Sequence, residues 1–165
     1  MSTKHLIVAF AAAAMLLPVS AAAQSQSYGN MPGIAVAGST SQANLPELAK
    51  EFINKHYKNV SISKVEREFL DNSYEVELAN GVEIDFNAAG ELTSIDTSDE
   101  GAPLSEKVVK DILPHKAYKE LKKLHQEKNV DEIEFNQGHL YEVSTRSVHE
   151  DKYSYDIQEN VWRAL

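Results

Sequence analysis

The chain has no cysteine in its 165 residues. That absence excludes disulfides, thiolate metal sites, thiol catalysis and a lipid-modified N-terminal cysteine together. A secreted chain without covalent staples must hold itself together with an ordinary hydrophobic core. It also lacks a second long apolar run: the one such run, Leu6 to Leu17, is too short to span a bilayer as a helix. Preceded by Lys4 and His5 and followed by Ala21-x-Ala23, it reads as a secretory signal peptide over residues 1–23. No membrane span is expected beyond it. The signal is of bacterial type, so the periplasm or the outside of a bacterium is the expected destination.

Positive charge is also scarce. With 16 Lys and Arg against 25 Asp and Glu the net charge is −9, and loss of Lys4 with the signal takes it to −10. Such a chain repels phosphate backbones and anionic lipid, which argues against nucleic acid and membrane surfaces as partners. A basic protein or peptide, or a divalent cation, fits the charge better.

Charge is missing altogether from Gln24 to Ala43, QSQSYGNMPGIAVAGSTSQA, and residues 24–43 read as a flexible leader. Then Asn44 is placed as an N-cap, Pro46 falls in the first helical turn and Glu47 completes a capping pattern. Leu45, Leu48, Phe52, Ile53 and His56 or Tyr57 share a stripe, so a helix is expected over about residues 45–58.

Alternating runs follow, and one fixes its own register. In YEVELANGVEIDF, a two-residue Asn80-Gly81 loop would set Leu78 opposite Glu83 and mix the faces. A three-residue loop with Gly81 in the left-handed conformation pairs Val76 with Ile84 and Tyr74 with Phe86 instead. The opposite face then sets Glu77 against Glu83 and Glu75 against Asp85, with Lys64 and Arg67 available on the preceding strand. These four carboxylates, Glu75, Glu77, Glu83 and Asp85, form the candidate binding face. Opposed like charges cost about 0.2–1 kcal/mol per pair. Solvation alone accounts for many such patches. Calcium binding through oxygen ligands is the alternative use, although no D-x-[DN]-x-[DN]-G loop is present.

From Pro103 the order starts again. Ser105 is placed as an N-cap, Leu104 as its staple onto Val109, and Pro114 breaks or kinks the helix that follows. VDEIEF, HLYEVSTRS and KYSYDIQENVWRAL supply further strands, with Tyr141, Tyr153 and Tyr155 at core-facing positions and Asn160 near the place of Gly90. The fold class is therefore α+β: two tandem copies of a helix plus a four-stranded antiparallel meander, at 44–97 and 103–165. Chance likeness between two α+β segments is the competing explanation.

Catalytic signals are thin. No G-x-S-x-G elbow occurs, and His56, His115, His125, His139 and His149 match no zinc spacing. The chain is expected to be no enzyme and to need no cofactor and no catalytic metal.

LPELAKEFINKHY, ISKVERE and YEVELANGVEIDFNAAGEL together resemble the PepSY-like, β-lactamase-inhibitor-like family of exported bacterial proteins. The match is good from Leu45 to Asp96 and weaker from Leu104 to Leu165, where Leu104-Ser105 stands for Leu-Pro. The resemblance implies paired αβ repeats whose helices cover one sheet face and leave the other open. It carries over no catalytic residue, and a shared scaffold does not fix function. The expectation is an exported binding module for a protein or peptide. A calcium-binding envelope module and a structural or assembly protein of the envelope are the alternatives.

Overall fold

The computed structural model describes residues 39–98, 101–146 and 151–165. The signal expected over 1–23, most of the leader and His149 lie outside the described residues. Eight strands, β1 (Ile62–Arg67), β2 (Tyr74–Leu78), β3 (Val82–Phe86), β4 (Leu92–Thr97), β5 (Val130–Asn136), β6 (Leu140–Thr145), β7 (Asp151–Asp156) and β8 (Val161–Ala164), form one antiparallel sheet in sequence order. Helix α1 (Glu47–His56) precedes β1, while α2 (Glu106–Ile112) and α3 (His115–Lys123) join β4 to β5. No helix among the described residues is long and apolar enough to cross a membrane.

The β2–β3 hairpin has the register that its loop dictates. Tyr74 faces Phe86, Val76 faces Ile84, and Gly81 sits at φ +81° with its N–H on the Leu78 carbonyl. Alternation then sorts the whole sheet. Val65, Val76, Ile84, Ile95, Ile133 and Val143 are each at most 2% exposed and join the helices in a single core.

The helix reading needs two corrections. Asn44 is not the N-cap of α1; it closes a 3-10 turn, Gln42–Asn44, and Pro46 occupies the cap position without a side-chain bond. The reason is local: Leu45 precedes a proline and is driven out of the helical region, to φ −71° and ψ 147°. The buried stripe is also displaced. Leu45, Ala49, Ile53 and Tyr57 face the sheet, Phe52 flanks them, and Leu48 is half exposed. Small Ala49 lets α1 approach closely, and the stripe centres on it.

In the second half, Ser105 caps α2 by accepting from the Val108 N–H at 3.3 Å, and Pro114 separates α2 from α3. Leu113-Pro114, rather than Leu104-Ser105, is the counterpart of Leu45-Pro46. Both leucines are buried and extended, both prolines cap a helix, and Ala49 and Ile53 correspond to Ala117 and Leu121. Helix α2 stands where the first half has, among the described residues, the short 3-10 turn Gln42–Asn44.

The end of the expected leader is docked rather than free. Ser39 bridges to Val65, whose N–H donates to the Ser39 carbonyl at 2.5 Å, so this stretch satisfies part of the β1 edge. Arg67 differs from expectation too. It pairs with Tyr74 on the core side of β1, stacking 5.7 Å from that ring, and takes no part in the carboxylate face.

The helix and the sheet meet most tightly at Gly90, in the β3–β4 turn at φ +85°. A Cβ there would lie 2.6 Å from Pro46 Cβ and 3.1 Å from the Ala49 backbone nitrogen. At Gly81 the nearest obstacle is only the Ser98 hydroxyl, at 2.9 Å. Gly90→Ala should therefore lose about 2–4 kcal/mol, from left-handed strain plus overpacking. Gly81→Ala should lose about 1–2 kcal/mol, from strain alone. Urea unfolding of the two variants checks the order.

Candidate functional site

The face away from the helices is a sheet of carboxylates. Reading across strands in register, one row runs Lys64, Glu77, Glu83, Asp96, Glu132, Ser144 and Lys152. Its neighbour runs Glu66, Glu75, Asp85, Ser94, Glu134, Glu142, Ser154 and Arg163. The four carboxylates expected from the hairpin are together on this face. The patch extends beyond them through Asp96, Glu132, Glu134 and Glu142, and that continuation comes from the pairing of β4 with β5 across the α2–α3 connection. Each added residue neighbours a buried Ile95, Ile133 or Val143 in sequence, which was the available signal.

Cations are unevenly distributed over this surface. The Lys64 ammonium lies 2.8 Å from Glu77, 2.9 Å from Glu75 and 3.2 Å from Glu66. Hydrogen bonds to Glu77, Glu75 and Glu66, in that order, raise its pKa well above the usual lysine range. At the centre the situation is reversed. Among the described residues, Glu83, Asp85 and Asp96 form no ion pair. Burial, followed by repulsion from Glu75, Asp96 and Glu134, lifts the Asp85 carboxyl to about 6. Glu83 is raised by burial and then by Glu75 and Asp96, and Asp96 by burial and then by Glu132 and Asp131. Negative charge is thus concentrated at three carboxylates that have no ion-pair partner among the described residues.

Two features give the patch shape. Carboxylate oxygens of Glu75, Glu83 and Asp85 lie within 4.8 Å of one another, close enough to share one cation. Beside them a groove of about 650 Å3 is lined by Glu68, Asp71, Glu75 and Asp85 together with Tyr74 and the Ala88-Ala89 turn. The β1–β2 loop, which lines the groove through Glu68 and Asp71, holds Phe69 and Leu70 almost fully in solvent, at 82% and 99% exposure.

A family model described as "Putative beta-lactamase-inhibitor-like, PepSY-like" matches residues 36–94 and again 102–161. The chain belongs to the PepSY-like family. Solved structures similar to this PepSY-like chain include a "putative periplasmic protein of unknown function" from Bacteroides vulgatus, 24% identical, with a TM-score of 0.60 over 79% of this chain and 98% of that one. Another is a "putative calcium-regulated periplasmic protein" from Bacteroides thetaiotaomicron, also 24% identical, with a TM-score of 0.61 over 76% of this chain and 93% of that one. A further periplasmic protein of Bacteroides vulgatus is 22% identical, with a TM-score of 0.58 over 79% of this chain and 93% of that one. These likenesses establish the fold. None of the curated proteins matches the chain.

The raised Asp85 pKa makes stability depend on pH in a defined direction. Because the folded value of about 6 exceeds the ordinary 3.8, the folded state holds the proton more tightly, and the penalty of ionising Asp85 grows as pH rises from about 4 to about 6. Two units correspond to about 2.7 kcal/mol, which solvent screening of a half-exposed group reduces to about 1 kcal/mol. Asp85→Asn should therefore raise the melting temperature at pH 7.5 and flatten its pH dependence between 4 and 6.5, as read by calorimetry.

Proposed function

We propose that this PepSY-like protein is an exported, non-enzymatic binding module of the bacterial envelope, and that its acidic open face takes a basic protein or peptide segment. The observation that carries this reading is the uncompensated centre, Glu83, Asp85 and Asp96. Three carboxylates held above their ordinary pKa on an accessible surface gain most when a partner brings the missing positive charge. The groove beside Asp85, of about 650 Å3, has room for a lysine or arginine side chain, and the β1–β2 loop that lines it through Glu68 and Asp71 also carries the exposed Phe69 and Leu70. The family's inhibitor-like description is in keeping with a protein-binding role, and the periplasmic neighbours support export. Two repeats, 44–97 and 103–165, are read as together building that face.

A second reading is favoured by one specific arrangement. Glu75, Glu83 and Asp85 offer three convergent oxygens, and a structural relative is described as calcium-regulated. Calcium takes about 6–8 oxygens, so water or a partner would complete the shell. An envelope assembly role without a discrete ligand is the third reading.

Titration of the purified protein with a short arginine- and lysine-rich peptide at low and high salt tests the first reading. Binding should weaken steeply with salt, and the triple variant Glu83→Gln, Asp85→Asn, Asp96→Asn should weaken it at least tenfold while the protein stays folded. Equal affinity for both proteins contradicts the reading. A thermal melt with calcium separates the second, because saturation at a hundred times Kd adds about 2.7 kcal/mol. An unchanged melt removes it.

A further inference from the structure

The helix-covered side of the sheet holds a second concavity, which meets the acidic groove only at Asn87 and Thr93. Between α1 and α2 lies a cavity of about 590 Å3, within the range of about 300–1,000 Å3 usual for small-molecule sites. Its floor is the inward side of β5 and β6, with Ile133, Phe135 and Tyr141. Phe52 and His56 of α1 form one wall, and Asp111 and Ile112 at the end of α2 form the other.

The lining is aromatic and its polar groups are incompletely satisfied. Phe135 and Tyr141 pack at 4.7 Å between ring centroids, and Phe52 lies 4.7 Å from the His56 ring. The His56 side chain is 2% exposed, and its Nδ1 is buried without a hydrogen-bond partner among the described residues. No hydrogen bond engages the Tyr141 hydroxyl among those residues either. Burial, then the Lys55 charge, lowers the His56 pKa, and Asp111 opposes them, so the imidazole is neutral at pH 7. Lys55 and Asp111 neutralise each other at 3.2 Å, and Glu91 on the rim accepts the Asn87 amide at 2.8 Å. The cleft presents aromatic rings and the Tyr141 hydroxyl, and no net positive charge is available to hold an anion.

We propose that this cavity is a binding site for an uncharged, largely aromatic small molecule bearing one hydroxyl or amine group, which meets the Tyr141 hydroxyl, with the buried His56 ring serving as part of the wall. The apolar body would lie between Phe52, Phe135 and Ile112. The site is separate from the acidic face and stands whether or not that face binds a basic partner.

N-phenyl-1-naphthylamine, a neutral aromatic amine that fluoresces in apolar surroundings, is a suitable probe for the purified protein. Saturable binding at one site is expected, with amide shift changes by NMR centred on Phe52, His56, Gly138 and Tyr141. Ile112→Trp, which fills the cavity, should weaken binding at least tenfold. If that variant does not fold by circular dichroism, Tyr141→Phe is read instead, with an expected three- to tenfold loss. Non-saturating fluorescence, shift changes centred on β2 and β3, or unchanged affinity in the folded cavity variant would overturn the proposal.

Discussion

The structure depends on one constraint: the register that runs unbroken through the centre of the eight-stranded antiparallel sheet, from Val76 to Val143, with bulges confined to the strand ends. Because side chains alternate with a period of two, fixing Val76 against Ile84 also fixes Glu77 against Glu83. The same step repeats at Ile84 and Ile95, at Ile95 and Ile133, and at Ile133 and Val143. Core and acidic face are therefore two consequences of one pairing. A slip of one residue anywhere in the centre would bury carboxylates under the helices.

That pairing sets stability against surface charge. Each directly opposed carboxylate pair costs about 0.2–1 kcal/mol, and burial of side chains such as Phe86, Ile84 and Leu121 in the common core offsets the cost. Lys64 relieves the β1 side by meeting three carboxylates at once. Among the described residues no cation pairs with Glu83, Asp85 or Asp96. Local rules broken without internal compensation tend to mark functional surfaces, and here the broken rule is charge balance at the centre of an open face. The helix side shows a different departure, a cavity where packing would ordinarily close.

Short-range features were legible in the sequence. The Ala79-Asn80-Gly81 loop, the Ser105 cap and the break at Pro114 each rest on chemistry within a few residues, and so does the grouping of Glu75, Glu77, Glu83 and Asp85. Features that depend on distant pairing were not. Asp96 and Glu132 are recognisable as outward-facing from Ile95 and Ile133 beside them, but only the β4–β5 ladder makes them neighbours. The Leu113-Pro114 counterpart was hidden because Leu104-Ser105 carries a capping signature of its own and opens α2. Asn44 misled for a physical reason: capping propensity was weighed without the restriction that Pro46 places on Leu45. The cavity has no local signature, since it arises from the spacing of α1 and α2 over the sheet.

The Asp85 carboxyl reports most directly on whether the centre of the face lacks compensating charge. Its carboxyl carbon can be followed by NMR across pH in the isolated protein. A midpoint close to 6 is predicted from its burial and the carboxylates around it. A midpoint at or below the ordinary aspartate value of about 3.9 would mean that the face is already neutralised or solvated, and would contradict an acidic surface awaiting a cationic partner.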